Sequence, residues 1–182
     1  MRSPEQLFGR FGNRLFKEAF IYAYAKDHGL DPYMQDYRYF EPYKEEIMRM
    51  YGEGIGSIDM VSIHVRRGDY VNNPFYVDLT QTDYYEKAIA KFPKDNFLVF
   101  SDDTDYCLRR FGRDSRFKYS YAPELEDFNL MASCKHNIIA NSSFSYWAAY
   151  LNPNPNKIVI APEAWYADGA ERTVCPPEWQ KL

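Results

Sequence analysis

Residues 60–69, Met60-Val-Ser-Ile-His-Val-Arg-Arg-Gly-Asp69, decide the fold. An apolar run ends abruptly in charged residues, which is typical of a buried strand with functional side chains at its carboxyl end. Further apolar runs at residues 97–100, 137–140 and 157–161 repeat this arrangement. Each run is short and bounded by polar residues, so we predict strands that are buried on both faces of a sheet.

The segments between these runs have the periodicity of helices. Residues 85–92 place apolar side chains on one helix face, and Thr80 or Thr82 is the expected N-cap. Three more helices are predicted: a short one from Asp105 to Phe111, one capped by Asp127 or a residue just before it, and one capped by Ser142 or Ser143. The order β-α-β-α-α-β-α-β is typical of an α/β protein with a doubly wound, Rossmann-like parallel sheet.

Composition and charge argue against several classes of protein. The 182 residues carry 22 Lys and Arg and 26 Asp and Glu, a net charge of −4, which disfavours nucleic acid and anionic membranes as partners. The three cysteines have no Cys-x-x-Cys spacing, which disfavours a disulfide framework and a structural zinc site. Neither a long apolar run nor an apolar leader is present. We therefore expect a cytoplasmic protein without a transmembrane segment.

The first part of the chain differs from the rest in composition. Residues 1–58 are rich in tyrosine and charge and end near Gly52-Glu-Gly-Ile-Gly56, a predicted hinge. Gly9-Arg10-Phe-Gly12-Asn13 predicts a loop that leads into a helix, and its glycines allow a close approach of backbone to ligand. A plain turn explains this loop equally well. We divide the chain into an N-terminal lobe, residues 1–58, and a sheet domain, residues 59–182.

Polar side chains follow each predicted strand, at the edge where doubly wound sheets bind ligands. His64 and Arg66 lie on one side of the first strand and Arg67 on the other. An arginine suits a diphosphate because it stays charged and bonds two oxygens at once. The same residues fit a surface arginine pair bridged to Asp69. Arg67-Gly68-Asp69 also matches an adhesion tripeptide, which is too common to carry weight.

Two other strand ends add candidate residues. Ser101-Asp102-Asp103 follows the second strand, and Asn141-Ser142-Ser143 lies between the third strand and a helix. The free N–H groups of a helix N-terminus, together with two hydroxyls, suit an anion. Ordinary N-capping explains one of these serines equally well. Residues 141–143 also match a glycosylation pattern, which we discount because a buried strand end is predicted there.

Asp127 and His64 can recognise the hydrogen-bonding edge of a base. A carboxylate accepts two donors side by side, which suits N1–H and N2–H₂ of guanine, although Asp127 can equally be a helix cap. Asp103-Thr-Asp105 has the spacing with which some sugar transferases hold a divalent ion. Such a triplet is expected by chance among 26 carboxylates, so we predict no metal site.

As a set, these motifs resemble glycosyltransferase family 11, the family of the α-1,2-fucosyltransferases. The resemblance is carried by residues 9–16, 61–70, 97–103 and 126–147, followed by residues 148–162 and Pro177-Glu-Trp179. It implies a GT-B-type fold, GDP-L-fucose as the donor, and no cofactor. It also implies an inverting, metal-independent transfer of fucose to a glycan acceptor, typically at position 2 of a β-galactoside.

The resemblance assigns catalytic roles by matching position. It implies that Arg66 holds the β-phosphate and assists the departure of GDP, with Arg67 in support. A base that deprotonates the acceptor is not marked by any motif. Asp69, Asp36 and Glu41 are the candidates for that role.

The resemblance also assigns donor-binding residues. It implies that His64 and Asp127 contact guanine and that Ser142 and Ser143 bind the diphosphate. The remaining donor-binding candidates are Arg10, Gly12, Asn13, Ser101 and Asp102.

Three features depart from the family pattern. Asn13 and His64 are separated by 51 residues (64 − 13), fewer than is usual, which predicts a shortened N-terminal lobe. Arg14 stands where the family usually has Gln, and Tyr146 where it usually has Trp. A short first lobe leaves two alternatives open: a non-catalytic GDP-sugar-binding or interaction module, and a transferase of another GDP-sugar. It also makes a homodimer that completes the cleft a further prediction.

Overall fold

The computed structural model describes residues 24–29, 35–52, 54–112 and 114–182. These residues belong to two compact units. The first unit contains the described residues before Tyr37 together with Arg172–Val174, and the second contains Tyr37–Glu171 and Cys175–Leu182. The second unit carries the predicted sheet. The division of the chain into lobes of residues 1–58 and 59–182 stays a prediction.

The strands are β1 (Gln35–Asp36), β2 (Ile58–Val65), β3 (Phe97–Ser101), β4 (Phe117–Tyr119), β5 (Cys134–Ile138), β6 (Val159–Ala161), β7 (Thr173–Val174) and β8 (Gln180–Lys181). The helices are α1 (Lys44–Tyr51), α2 (Tyr84–Ala90), α3 (Thr104–Phe111), α4 (Glu124–Ser133) and α5 (Ser143–Leu151). Short 3₁₀ turns span Tyr37–Tyr39, Glu41–Tyr43, Gly68–Tyr70 and Leu79–Gln81. In the first unit, β1 pairs with β7 in parallel.

The sheet of the second unit is parallel throughout, with the strand order β4-β3-β2-β5-β6-β8. The chain runs from β2 outward through β3 to β4, then returns to the other side of β2 and continues through β5 and β6. This is the doubly wound, Rossmann-like α/β arrangement that the alternation of strands and helices predicts. β2, which ends in the motif quoted first, occupies the centre of the sheet.

The core consists of two apolar layers, one on each face of the sheet. Alternate residues of a strand point to opposite faces, so Ile138 joins the layer of α2 and α3, whereas Ile139 joins the layer of α5. Met131 of α4 is fully buried beside Phe100 in that second layer. Helices on both faces explain why the strands read as short, almost wholly apolar runs.

One face of β2 is polar although it is buried. Ser62 lies on this face, and its hydroxyl accepts a hydrogen bond from Nδ2 of Asn137 at 2.8 Å. Oδ1 of Asn137 in turn accepts from Asn152, whose Nδ2 also donates to the main-chain oxygen of Cys134. These partners satisfy side chains that would otherwise be costly to bury. The network ties β2, β5 and the end of α5 together.

Several predicted bounds were wrong. The third strand is Cys134–Ile138 rather than residues 137–140, and the last covers Val159–Ala161 rather than residues 157–161. α4 begins at Glu124, so Asp127 lies inside the helix and does not cap it. Ser133 ends α4 and Cys134 begins β5 with no residue between them. The N-cap of α2 is Asp83, whereas Thr82 accepts a hydrogen bond from the main-chain N–H of Tyr84.

Other predictions were confirmed or fall outside the described residues. β2, β3, α3 and the N-cap Ser142 of α5 are where the sequence predicts them. α1, β4 and β8 were not predicted. The loop with Arg10, Gly12 and Asn13 lies outside the described residues, as does most of the helix expected after it. Residues 24–27 are helical.

The three cysteines are buried and free, and burial raises the pKa of each thiol, to about 12 for Cys134. The part of the chain that the structure describes contains no helix with the length and apolar character needed to cross a bilayer.

Candidate functional site

The carboxyl ends of β2 and β5 diverge at the point where the order of the strands reverses. β2 leads into Arg66 and Arg67, and the chain after β5 leads into Asn141 and Ser142. A gap opens there because the connections from the two strands leave on opposite faces of the sheet. Six of the predicted site residues come together at the topological switch point of the sheet, namely His64, Arg66, Ser101, Asp102, Asp127 and Ser142.

A cavity of about 360 Å³ lies at this edge, in the size range of small-molecule sites. Most of the predicted nucleotide-binding residues that the structure describes face it, together with two aromatic rings and a third acidic residue, Glu124. Its lining residues are His64, Arg66, Phe100, Ser101, Asp102, Glu124, Asp127, Ser142 and Phe144.

His64 lies at the inner end of the cavity and is only 6% exposed. Burial lowers the pKa of its imidazole to about 4, against a raising effect of Asp102, so the ring is neutral near pH 7. Its ring lies 5.6 Å from that of Phe144. Nδ1 has no hydrogen-bond partner within the described part of the chain. A buried polar atom of this kind needs a partner, and a ligand in the cavity can supply one.

Arg66 is bound by two carboxylates. One terminal nitrogen donates to Asp69, and the other lies 2.8 Å from Oδ2 of Asp102. The guanidinium lies 5.5 Å from the centre of the Tyr70 ring. About a third of the Arg66 side chain is exposed. The pairing with Asp69 that the sequence offered as an alternative to ligand binding is therefore present. The two interpretations are compatible because Arg66 also lines the cavity.

Arg67 points away from the cavity, as the alternation along β2 predicts. Its Nε donates to Asp103 at 3.0 Å, and one terminal nitrogen donates to Thr80. Its guanidinium stacks on the ring of Tyr106 at 3.9 Å. These contacts fix Arg67 between α3 and the turn before α2, so it supports the site rather than lining it.

Asp102 connects the loops after β2 and β3. Besides pairing with Arg66, its carboxylate accepts the main-chain N–H of Arg67 at 2.9 Å. Gly68 packs so closely that a Cβ there would lie 2.5 Å from Oδ2 of Asp102. Ser101 donates its hydroxyl to the main-chain oxygen of Val65, and so fixes the end of β2. Both predicted donor-binding residues thus act on the protein in this structure.

Asp127 faces the cavity from α4. Burial raises the pKa of its carboxyl, and a hydrogen bond from the hydroxyl of Ser120 opposes that rise. Glu124, one helical turn earlier, also lines the cavity. The base-recognition residues expected from the sequence, His64 and Asp127, therefore line the same cavity from different elements.

The N-terminus of α5 faces the cavity through Ser142. Ser142 occupies the N-cap position, but its side chain makes no capping hydrogen bond. Ser143 is exposed and does not line the cavity. Asn141 is buried, and its Nδ2 donates to the main-chain oxygens of Val77 and Trp165. It therefore holds two loops at the edge of the site.

The Asp103–Asp105 pair shows no sign of a metal site. Asp103 caps α3 through the N–H of Tyr106 and pairs with Arg67. Within the described residues, no group of three metal-ligating side chains is present.

For the candidate base Glu41, Oε2 accepts a hydrogen bond from Tyr150, two turns along α5 from Ser142. Asp36 belongs to the first unit.

Three contributors to the site were missed from the sequence. Ser120 lies just before α4 and Glu124 is its first residue, after the N-cap Pro123. The sequence placed the start of this helix too late, so neither residue was assigned to the edge of the sheet. Tyr70 was quoted only as part of a motif, yet its hydroxyl donates to the main-chain oxygen of Asn141 at 3.1 Å. A correct start for α4 would have found the first two.

Comparison with known proteins agrees with this geometry. Glycosyl transferase family 11 matches residues 12–182. The chain is 36% identical to the O-antigen biosynthesis glycosyltransferase WbnK of Escherichia coli, over 66% of the chain and 44% of that protein. It is 32% identical to an alpha-1,2-colitosyltransferase of Escherichia coli, over 82% of the chain and 61% of that protein.

A mammalian relative matches over a smaller share of its length. Galactoside 2-alpha-L-fucosyltransferase Sec1 of Mus musculus is 32% identical over 65% of the chain and 37% of that protein. The matches to these three relatives therefore cover between 37% and 61% of their length. No solved structure gives a significant match. The family match covers most of the chain and includes every element that lines the cavity, so the chain belongs to glycosyl transferase family 11.

Proposed function

We propose that the chain transfers L-fucose from GDP-fucose to a glycan hydroxyl, at position 2 of a β-galactoside, by inverting, metal-independent displacement. The observation that carries the proposal is the cavity at the switch point of the sheet. It is lined by an arginine, a helix N-terminus, a buried neutral histidine and a carboxylate. That combination suits the two ends of a guanosine diphosphate.

The phosphate end of the donor fits Arg66 and the N-terminus of α5. In the transfer, the acceptor oxygen forms a bond to C1 of fucose while the bond from C1 to the β-phosphate oxygen breaks. The proton of the acceptor hydroxyl passes to a base, for which Asp69 is the candidate beside Arg66, or to water. The electron pair stays on that phosphate oxygen. Arg66 and the N–H groups behind Ser142 are arranged before the reaction to stabilise this growing negative charge.

The base end fits Asp127 and His64. The carboxylate of Asp127 accepts from N1–H and N2–H₂ of guanine, a pair of donors that adenine does not present. His64, neutral and with an unpaired Nδ1, completes the recognition as a donor or an acceptor. Selection for GDP over ADP then follows from the direction of these hydrogen bonds.

Two alternatives have specific support. The names of the relatives include a colitosyltransferase as well as a fucosyltransferase, which favours testing a second GDP-sugar. The matches also cover only part of each relative, which keeps a non-catalytic GDP-sugar-binding module as a candidate. Both alternatives retain the GDP site, so nucleotide binding is tested first.

The test measures binding and turnover separately, in EDTA. Selective stabilisation by GDP and GDP-fucose over UDP and ADP supports the donor site, with a shift of several degrees at saturating ligand. Release of GDP that depends on a β-galactoside then supports transfer. Arg66→Ala should abolish most turnover and keep the fold, whereas Arg49→Ala on α1 should change neither. Stabilisation by no guanine nucleotide, or near wild-type turnover in Arg66→Ala, would contradict the proposal.

A further inference from the structure

The charge on Arg66 is more than balanced within the protein. Its guanidinium pairs with both Asp69 and Asp102, so one positive charge faces two negative ones. A diphosphate that approaches this group meets a net negative charge, although the arginine is correctly placed to bind it. A donor diphosphate at Arg66 therefore competes with these two carboxylates for the guanidinium.

The two carboxylates are held very differently. Asp102 is 27% exposed, and its carboxylate also accepts the main-chain N–H of Arg67 and packs against Gly68. Asp69 is 64% exposed and lies in a 3₁₀ turn beyond the end of β2. An exposed ion pair contributes little to stability, whereas one embedded in a network of hydrogen bonds is costly to break. Asp69 is therefore the carboxylate that can leave.

The exchange needs only a rotation of the Asp69 side chain. The main-chain oxygen of Asp69 accepts from Asn73, and the N–H of Tyr70 donates to the main-chain oxygen of Arg67. The ring of Tyr70 supports the guanidinium, and its hydroxyl is bound to the main chain at Asn141. The backbone and the arginine can therefore stay in place while the carboxylate moves.

We propose that Asp69 is an exchangeable counter-ion of Arg66 that the donor diphosphate displaces, whereas Asp102 is the fixed positioning residue that orients Arg66 in both states. The inference rests on the proposed function, in which Arg66 binds that diphosphate. It assigns opposite effects on binding to two carboxylates that contact the same guanidinium.

The test compares Asp69→Asn, Asp102→Asn and Asp105→Asn by calorimetric titration with GDP and, separately, with inorganic pyrophosphate. Asp69→Asn removes the competitor and should tighten binding by about two- to fivefold, the range of an exposed ion pair. Asp102→Asn turns an amide N–H₂ toward Arg66 or Arg67 and should weaken binding by about tenfold or more. Asp105→Asn removes the same charge from the exposed first turn of α3 and should change the affinity little.

If Asp69 had only a structural role, its replacement by Asn would not tighten binding. Asp69→Glu restores the carboxylate and should return the affinity toward the wild-type value. Unchanged or weaker binding in Asp69→Asn overturns the proposal. So does a gain in both Asp69→Asn and Asp102→Asn, since this would be a general effect of charge. Pyrophosphate separates the two levels of inference. Suppose that GDP binds no more tightly than pyrophosphate, while Asp69→Asn still tightens and Asp102→Asn still weakens the binding of both. The assignment of a guanine nucleotide donor then fails, and the exchange at Arg66 stands.

Discussion

Replacing Gly68 with alanine should disturb the end of the cavity at Arg66, although no residue that lines the cavity is replaced. The new Cβ would lie 2.5 Å from Oδ2 and 3.3 Å from Cγ of Asp102, far inside normal contact. Asp102 cannot yield cheaply, because the same carboxylate is bound to Arg66 and to the N–H of Arg67. The alanine must therefore break these two interactions or shift the turn that follows β2.

The expected cost follows from those bonds. Hydrogen bonds to charged groups contribute about 1.5–3 kcal/mol each, and partial exposure places this pair near the lower end. Alanine also lowers the conformational entropy of the unfolded chain, which offsets about 0.4–1 kcal/mol of this loss in the free energy of unfolding. A net loss of about 1–3 kcal/mol remains, which lowers the melting temperature by several degrees in a chain of this length. GDP affinity should fall as well, because Arg66 loses its fixed partner.

Thermal unfolding and GDP titration of four variants check this reasoning: Gly68→Ala, Gly56→Ala, Asp102→Ala and a double variant. Gly56→Ala is the matched control, because its Cβ would meet only the Ser133 hydroxyl at 3.8 Å, an ordinary contact. In the double variant Gly68→Ala with Asp102→Ala the clash no longer exists, so the double variant should be no less stable than Asp102→Ala alone. Wild-type stability and affinity in Gly68→Ala, or simple additivity in the double variant, would refute the steric argument.

Three further predictions concern titration and buried polar groups. The pKa of His64 is about 4 in the folded state and 6.5 in the unfolded state. Its neutral ring therefore contributes fully to the free energy of unfolding above pH 6.5. This contribution, about 3 kcal/mol, is lost as the pH falls from 6.5 to about 4. Urea unfolding across that range should therefore show a smaller acid loss in His64→Gln, and equal losses would contradict the burial argument. Tyr84→Phe removes a buried hydroxyl whose single proton is shared between the main-chain oxygens of Ile139 and Ile160, and should cost about 1–3 kcal/mol. Tyr121→Phe, at an exposed ring, should cost almost nothing. Ser120→Ala removes the bond that opposes the raised pKa of Asp127, so the acid limb of GDP binding should move to higher pH; an unmoved limb would exclude Ser120 from that role.

The centre of the fold could be predicted from the sequence because burial leaves a simple pattern. β2 and β3 are covered on both faces, so their apolar runs end where the sheet ends. β5 was misplaced because Asn137 looks like the start of a strand, although Ser62 and Asn152 satisfy it inside the core. β4 and β8 are short edge strands with exposed lysines, and pairing with a neighbour rather than an apolar run defines them.

Part of the lining of the cavity could be predicted from the sequence, but its contacts could not. Arg66 follows β2 and Ser142 caps α5, whereas His64 lies at the carboxyl end of β2 and Asp127 in the first turn of α4. A parallel sheet brings such positions to one edge. Which carboxylate contacts which arginine depends on the register between β2 and β3, which pairs Val65 with Ser101. The sequence contains no local signal for that register. For this reason the pairing of Asp102 with Arg66 was not predicted, and its contact with the donor stays a prediction.

The direct passage from α4 into β5 has a mechanical consequence. Since no loop separates Ser133 from Cys134, the helix that carries Asp127 cannot tilt without moving a central strand. The hydroxyl of Ser133 adds a further restraint by accepting the N–H of Gly56 and donating to Asn129. One end of the cavity is thus stiff, whereas at the other end the proposed exchange of Asp69 would leave Arg66 adjustable. We therefore expect the cavity to hold a group at Asp127 more rigidly than an anion at Arg66.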